Sequence, residues 1–235
     1  GKLLRQRKGI YNNYGELISL TRQIDSYNST TTKYEYDDYG NLSKIQDARG
    51  AFTQYEYDRD TNQFVESIKQ GSGFINSYET QLKWDKSKGL KLSETDENNQ
   101  TMTYQYDEQG RLQKIYSPYD EVGGVPAVEY IYNTEKKGSW WTETKNKVSF
   151  DCDDEQTLST VVQIDGLGRK VKVAKFAEKT DQNGNTYLGW NVSGVVEYDS
   201  KGRTIKEGQS YFSNTIDSIS LVNEPLKLHY PTVTQ

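Results

Sequence analysis

Six aspartates recur along the chain in similar surroundings, and carboxylates are the groups most often used for acid–base catalysis and for binding hard metal ions. These residues are Asp37, Asp58, Asp85, Asp107, Asp165 and Asp199. An active site requires its groups to converge on one place, whereas a residue that recurs once per unit performs the same local task in each. We therefore predict that the six aspartates accept hydrogen bonds from the backbone of their own turns, and that they form neither a catalytic nor a metal site.

Two polar stretches have the composition of calcium-binding loops. Residues 151–155 read Asp-Cys-Asp-Asp-Glu, and residues 181–185 read Asp-Gln-Asn-Gly-Asn. Neither stretch has the EF-hand spacing. An acidic run is more typical of a solvated loop, and Asn-Gly is more typical of a hairpin turn. We therefore favour the structural interpretation and expect no cofactor, with calcium binding as the alternative.

Trp140 and Trp141 are candidates for stacking on a ligand such as a sugar. Neighbouring residues on a strand point to opposite faces, so at most one ring is expected to meet a ligand while the other packs inward. Filling of a sheet face is the favoured role for both rings. The single cysteine, Cys152, lies among acids that raise the pKa of a thiol, and the single histidine, His229, has no Ser or Cys nearby in sequence. We assign neither residue a catalytic role.

The aspartates belong to a repeated unit that combines two rings spaced by two residues, an aspartate, and a glycine three residues later. The clearest copies are residues 34–42, 104–112 and 196–203, and partial copies start at Ile10, Tyr55, Leu82, Tyr130 and Gln163. Subtracting the residue numbers 37, 58, 85 and 107 gives steps of 21, 27 and 22, and the later steps are longer. A period of about two dozen residues is typical of an array of supersecondary units.

We assign structural roles to the residues that define this unit. They are Tyr34, Tyr36, Asp37, Gly40, Tyr55, Tyr57, Asp58, Tyr104, Tyr106, Asp107, Gly110, Arg111, Asp165, Gly168, Arg169, Tyr198, Asp199, Gly202 and Arg203.

Each unit predicts a β-hairpin. Tyr34 and Tyr36 are two residues apart, so their rings share one face of a strand while the charged neighbours take the other. Asp37 then opens a turn, and Gly40 follows at a position where a positive φ is most easily held by glycine.

The returning strand raises a question of parity. Leu112 and Ile115 are three residues apart, so on a regular strand they would face opposite sides of the sheet. Either a bulge restores the parity, or both faces of the sheet are covered.

Composition limits the architecture further. Hydrophobic residues make up 33% of the chain and aromatic residues 12%, with 19 tyrosines. A chain poor in large aliphatic residues is not expected to enclose one thick core, whereas rings with a polar end can cover a surface that stays partly wet. No long apolar stripe has a helical period, so helix should be a minor component.

The charge pattern and hydropathy exclude two classes of partner. The net charge is −5, and the basic residues are mixed among the acidic ones, which argues against a nucleic-acid partner. No apolar run approaches the ~20 residues that a membrane-spanning helix needs.

The pattern aromatic-x-Tyr-Asp-x-x-Gly-Arg/Asn resembles the signature of the RHS, or YD-repeat, family over residues 10–212. The order of the motifs at residues 165–169, 189–194, 197–203 and 209–212 is similar to the YD-repeat section of B components of bacterial ABC-type insecticidal toxin complexes. The resemblance implies an all-β array of β-hairpin repeats that forms a curved, twisted sheet, as a segment of an RHS-type hollow shell. It also implies a structural, non-enzymatic role for these residues in a secreted or cell-surface bacterial protein.

The same resemblance implies particular partners. These are an enclosed polypeptide cargo and other subunits of a toxin complex. The self-cleaving aspartate segment found in such families has no match in this chain. An extracellular adhesion or carbohydrate-binding module that uses exposed aromatic rings is the alternative function.

The repeats divide the continuous array into three stretches. Residues 1–117 carry the tightest repeats, residues 118–154 interrupt the pattern, and residues 155–235 hold longer units and an irregular tail. The first residues lack the apolar segment of a signal peptide, and the last five resemble the start of a strand. We therefore expect any export signal to lie outside residues 1–235 or to be of another kind, and further repeats to lie outside these residues. Open sheet edges would then favour edge-to-edge pairing of two copies of the isolated chain.

Overall fold

The computed structural model describes residues 6–72, 75–120, 122–134, 140–148, 157–224, 226 and 228–233. The chain divides into two compact units, Gly1–Tyr104 and Gln105–Gln235. Sixteen strands form one antiparallel sheet, in the order in which they occur along the chain except at its last position. In the described residues helix is limited to a single segment of six residues. The predicted all-β array of hairpins is therefore confirmed.

The first unit is a meander in which each strand pairs with the next one along the chain. Its strands are β1 (Arg7–Tyr11), β2 (Leu17–Gln23), β3 (Ser29–Tyr36), β4 (Leu42–Gln46), β5 (Ala51–Tyr57), β6 (Val65–Ser72), β7 (Ile75–Asp85), β8 (Leu90–Thr95) and β9 (Thr101–Tyr106), the last of which runs two residues past the boundary of the unit. Short polar turns join most of these strands. The strands themselves are rich in β-branched and aromatic residues, as expected.

The second unit continues the meander and then departs from it. Its strands are β10 (Leu112–Tyr116), β11 (Val128–Asn133), β12 (Trp140–Lys147), β13 (Thr157–Ile164), β14 (Lys170–Thr180), β15 (Thr186–Ser193), β16 (Val196–Tyr198), β17 (Thr204–Glu207), β18 (Tyr211–Ser213) and β19 (Thr232–Val233). The helix α1 (Ser218–Asn223) follows β18. Strand β18 returns to pair with β15, whereas β16, β17 and β19 form a separate small sheet. Nowhere in the described ranges is there a helix long and apolar enough to cross a membrane.

A bulge recurs at the start of the returning strand. In the hairpin of β3 and β4, Tyr34 opposes Ile45. Tyr36 opposes Leu42, which leaves Ser43 as the extra residue of the bulge. The two aliphatic residues therefore share the face of the two rings although they are three positions apart. The same register shift occurs in the hairpins β1–β2, β5–β6, β7–β8, β13–β14 and β16–β17. In these hairpins the bulge therefore resolves the parity question.

Burial in the first unit is low. Among its described residues, the buried side chains are those of Asp58 and Ser67, and both are polar. The rings and aliphatic residues of its strands are mostly half-buried. The first unit thus lacks a thick core, as the composition of the chain predicts.

The second unit departs from the expectation that the chain has no thick core, because a local core lies beneath α1. The core consists of Trp141, Val161, Ala174, Trp190, Val192, Val195, Leu221 and Val222. The sheet register aligns Val161, Ala174 and Val192 on one face of three adjacent strands. Apolar residues brought together by the register therefore form a core that the overall composition does not reveal.

Polar contacts hold both ends of α1 on the sheet. Asp217 caps the N-terminus, and the Ser218 hydroxyl donates to the buried carboxylate of Glu143 at 2.7 Å. At the other end, the buried ammonium group of Lys172 donates to the carbonyl of Leu221 at 2.7 Å. Burial lowers the pKa of Lys172. The carbonyls at a helix C-terminus carry partial negative charge, which favours a cation at this position.

Removing a central ring of this core should destabilise the second unit. Trp190 is 2% exposed and meets Phe176 edge to face, with 5.2 Å between the ring centroids. We expect Trp190→Ala to lower the free energy of unfolding by about 3–5 kcal/mol, because it leaves a large cavity. Urea denaturation followed by circular dichroism measures the change.

Leu188→Ala is the matched control on the same strand. Leu188 is 55% exposed, so we expect its truncation to change the free energy of unfolding by less than about 0.5 kcal/mol. Equal losses in the two variants would show that the cluster beneath α1 is not a core.

Candidate functional site at the turns

The tight turns are built around a single Asx residue. After β3, the N–H of Asp37 donates to the carbonyl of Asn41 at 2.9 Å, and the N–H of Gly40 donates to the carbonyl of Asp37 at 3.1 Å. Gly40 has a φ of 85°, in the left-handed region that favours glycine. This arrangement is a type I turn followed by a left-handed residue, a common hairpin loop. Within the described residues eight turns share these two backbone bonds, and they begin at Asn12, Asp37, Asp47, Asp96, Asp107, Asp165, Asp181 and Asp199.

One side-chain oxygen of the Asx residue holds the turn closed. The Oδ1 atom of Asp107 accepts the N–H of Gln109 at 3.0 Å and the N–H of Arg111 at 2.8 Å. The same pair of bonds, to the residues two and four positions later, occurs in all eight turns at 2.8–3.0 Å. The side chain thus supplies an acceptor for two N–H groups that the turn leaves without a ladder partner.

The second oxygen binds the side chain four residues later in five of these turns. The donors to this oxygen are the Nε atoms of Arg111, Arg169 and Arg203 and the Nδ2 atoms of Asn41 and Asn185, at 2.6–3.0 Å. In the first turn the polarity is reversed, because the Nδ2 atom of Asn12 donates to the carboxylate of Glu16 at 2.6 Å.

In five repeats the second ring connects the repeat to the preceding hairpin. The hydroxyl of Tyr36 donates to the carbonyl of Leu17 at 3.1 Å. Equivalent bonds of 2.7–3.1 Å join Tyr57 to Leu42, Trp84 to Val65, Tyr132 to Leu112 and Tyr198 to Lys170. Every acceptor is the first residue of a strand that returns from a turn. We term this contact the ring latch: in four cases it links hairpins whose strands also pair, and in the case of Tyr198 it links the small sheet to β14.

The arginine of the motif completes the link between units. The guanidinium carbon of Arg111 lies 4.5 Å from the ring centroid of Tyr132, and that of Arg169 lies 4.2 Å from the ring centroid of Tyr198. A cation over a ring face is attracted by the negative charge of that face. Because Arg111 also binds Asp107, the turn of one unit is coupled through the arginine to the latching ring of the next.

Asp58 performs the same task in a longer loop. Its carboxylate is fully buried and accepts the N–H groups of Thr61, Gln63 and Phe64 at 2.8–3.0 Å. Burial by itself raises the pKa of Asp58, but the hydrogen bonds from Phe64, Thr61 and Gln63 outweigh it, so the pKa lies well below its usual range.

Lys86 joins this loop to the turn that follows β7. Its ammonium group lies 3.3 Å from a carboxylate oxygen of Asp58 and 3.0 Å from oxygens of Asp60 and Glu66. Hydrogen bonds to Glu66 and Asp60 raise the pKa of Lys86 well above its ordinary value. The carboxylates therefore surround a cation that belongs to the chain itself.

The first rings of the units lie among aliphatic and basic side chains. Tyr55 opposes Ile68 in the sheet, as Tyr34 opposes Ile45. The ammonium group of Lys91 lies 4.6 Å from the ring centroid of Tyr104. Tyr106 ends β9, directly before the turn of Asp107.

The two adjacent tryptophans occupy opposite faces of β12. Trp141 is 7% exposed and packs in the core beneath α1, so its ring is not available for stacking on a ligand. Trp140 is half-buried, and its indole Nε1 is buried. The sequence places them on opposite faces, but only the sheet register identifies Trp141 as the inward ring.

The two calcium candidates have different outcomes. Residues 181–185 form the hairpin turn between β14 and β15, in which Asp181 accepts the N–H groups of Asn183 and Asn185. Residues 151–155, including Cys152, lie outside the described residues. In the part of the chain that the structure describes, no three His, Cys, Asp or Glu side chains are grouped to hold a metal ion.

Sequence reasoning missed some members of this system. The turns of Asp47 and Asp96 lie between units, where no ring pair precedes the aspartate, although Asp-x-x-Gly at residues 47–50 is a readable signal. The position of Lys86 has no local signal, because its partners are in another hairpin. His229 stacks on the ring of Tyr211 with centroids 4.2 Å apart, a contact between distant parts of the sequence.

The fold and the turns together define a class of protein, an antiparallel array of β-hairpin repeats in which carboxylates shape the turns and rings link the units. Residues 11–51 and 87–122 match the family model for the RHS Repeat. These two stretches therefore resemble RHS repeats, and the resemblance predicted from the sequence is confirmed. A comparison with curated protein sequences finds no significant match.

Solved structures share the fold at low sequence identity. The crystal structure of TcdB2-TccC3-TEV matches with a TM-score of 0.63 and 16% identity, over 94% of this chain and 15% of that chain. The crystal structure of TcdB2-TccC3 without its hypervariable C-terminal region matches with a TM-score of 0.64 and 15% identity, over 99% of this chain and 12% of that chain. The present chain thus has the fold of a small section of much longer proteins.

Removing one ring latch should weaken the array by a measurable amount. We expect Tyr57→Phe to lower the free energy of unfolding by about 1 kcal/mol, because the hydroxyl bond to the Leu42 carbonyl is lost while the ring remains. Tyr55→Phe is the control on the same face of the same strand, with an expected change below about 0.5 kcal/mol. Urea denaturation measures both, and an equal effect in the two variants would contradict the latch.

The aspartates should make the fold sensitive to acid. The pKa of Asp58 is lower in the folded chain than in the unfolded chain, so its charged form adds stability at neutral pH. That contribution is lost as the pH falls below about 4, the pKa of an unfolded aspartate. The same sign applies to Asp37, Asp107, Asp165 and Asp199, whose pKa values are also lowered.

Urea midpoints measured between about pH 6 and pH 3 test this linkage. We expect the midpoint to fall with pH in the unmodified chain. Asp58→Asn should be less stable at neutral pH and should lose less on acidification. An unchanged acid dependence in this variant would show that Asp58 does not contribute.

Proposed function

We propose that this chain forms a section of the wall of an RHS-type shell in a secreted or cell-surface bacterial toxin complex. In this role the wall encloses a polypeptide cargo and works with other subunits of the complex. The proposal is supported by the RHS repeats at residues 11–51 and 87–122 and by a fold shared with TcdB2-TccC3 over at least nine-tenths of the chain. The chain corresponds to 12–15% of those longer proteins, as a wall section would.

The repeated ring latch is the observation that carries the proposal. It joins hairpins that already share a ladder, so the spacing between units is held at two places, at the strands and at the turns. A wall one sheet thick has little interior to stabilise it, and the first unit buries no apolar side chain among its described residues. Latches between repeats add to the nearest-neighbour contacts on which the stability of a repeat array depends.

The carboxylates favour a structural role over an enzymatic one. In the turns, one oxygen of each aspartate accepts two N–H groups of its own backbone, and arginine or asparagine binds the other in five turns. Around Asp58, a lysine of the chain occupies the centre of the acidic group. These oxygens are committed to local structure rather than directed at a common substrate position.

Protease protection tests the proposal in a longer protein that contains this chain. If the wall encloses a polypeptide, an internal segment should resist trypsin in the native protein and become sensitive once the wall is opened. Mass spectrometry of the protected fragments at increasing urea concentration would identify that segment and the urea concentration at which it is exposed.

Matched variants connect the protection to this wall section. Tyr57→Phe combined with Tyr132→Phe removes two latches and should expose the cargo at lower urea, whereas Tyr55→Phe should leave the profile unchanged. A native protein without any protected segment would contradict the encapsulating role.

A further inference from the structure

A groove of about 630 Å³ lies between the turns of Asn12 and Asp37. Four tyrosines line it, Tyr14, Tyr34, Tyr36 and Tyr39, together with four acidic residues and no basic one. Tyr14 is 90% exposed and Tyr39 is 71% exposed. Exposed rings beside four acidic residues and no basic one distinguish this groove from the turns of Asp107 and Asp165, where an arginine lies beside the next latching ring.

In two of the five repeats with a ring latch, an arginine lies beside the latching ring. The residue four positions after the turn aspartate is Arg111 in one unit and Arg169 in another, and each guanidinium lies over the next latching ring. In the first hairpin the equivalent residue is Glu16. The next ring, Tyr36, still makes its ring latch to Leu17, so the geometry of the unit is preserved while the cation is replaced by a carboxylate.

The surroundings strengthen this reversal of charge. Glu35 borders the same groove, but as the residue between Tyr34 and Tyr36 it starts on the opposite face of β3, where Lys44 lies 3.8 Å from its carboxylate. Asp38 is exposed on the turn between Asp37 and Tyr39. Glu16 is positioned by the amide of Asn12, which binds one of its oxygens at 2.6 Å.

A guanidinium group fits this combination of rings and carboxylates. It is planar, it stacks on aromatic faces, and it donates several hydrogen bonds in the plane of the group to carboxylate oxygens. A neutral ligand would make the ring contacts but would not be attracted by the carboxylates.

We propose that this groove binds an arginine side chain presented by an extended polypeptide segment of a partner protein. The guanidinium would take the position beside Tyr36 that Arg111 and Arg169 take beside their rings, and it would donate to Glu16, with Tyr14 and Tyr39 flanking the segment. The proposal rests on a comparison of repeats within the chain and does not depend on the shell role.

An NMR titration of the ¹⁵N-labelled chain tests the site. The probe is the peptide acetyl-Gly-Arg-Gly-Gly-Arg-Gly-amide at low salt, and the control is the same peptide with citrulline, which is neutral and nearly isosteric with arginine. We expect amide shifts confined to residues 12–18 and 34–40, at least about tenfold weaker binding of the citrulline peptide, and weakening of the arginine peptide by added salt. Equal binding of the two peptides, or shifts elsewhere, would overturn the proposal.

A variant built from the chain's own motif separates binding from folding. Asn12→Asp with Glu16→Arg recreates the Asp–Arg pair of the other turns and places the chain's own guanidinium beside Tyr36. We expect this double variant to fold with an unchanged thermal midpoint and to lose arginine-peptide binding at least about tenfold. Glu97→Gln, on an exposed turn of the same unit and with the same net charge change, should bind normally.

Tyr39→Ala provides a second measurement if the double variant fails to fold. It removes an exposed ring that makes one wall of the groove and should weaken binding without changing the thermal midpoint. Unchanged binding in a folded double variant, or in Tyr39→Ala, would show that the groove is not the site.

Discussion

The structure depends on one interaction, the acceptance of two backbone N–H groups by one side-chain oxygen of an Asx residue. This pair of bonds selects a type I turn with a left-handed residue at its end, and the turn sets where the returning strand begins. The carbonyl of that strand's first residue then accepts a hydrogen bond from the tyrosine hydroxyl of the next repeat. The order of the array therefore follows from a contact that forms separately within each turn, and not from a core common to all the repeats.

Local contacts are what a sequence reveals best. The pair Tyr34 and Tyr36, followed by Asp37 and Gly40, specifies a strand and a turn within seven residues, and the structure has both. The bulge at Ser43 could not be assigned in advance, because register depends on which residues of the partner strand are opposite. The RHS resemblance was visible for the same reason, since its signature is made of these local residues.

Long-range contacts were not predictable from the pattern. The core beneath α1 joins Trp141 to Leu221 and Val222, some eighty residues later in the chain, and its apolar positions look like ordinary strand residues until the register aligns them. Lys86 reaches Asp58 from a different loop, so no spacing rule indicates the contact. The chain thus combines a sheet of repeated hairpins, which can be predicted from local motifs, with a helix-covered core, which cannot.

The position of the latch acceptor has a consequence for how such arrays diversify. The Asp58 loop is longer than the tight turns, yet the carbonyl of Val65, at the start of β6, still meets Trp84 as the carbonyls of Leu17 and Leu42 meet their tyrosines. Because the latch meets the start of the strand, a repeat with a longer loop still presents its acceptor to the next repeat, and in the Asp58 loop the contacts with Lys86 and Trp84 of that repeat are added to the latch. A loop can therefore change in length while the link between neighbouring repeats is kept.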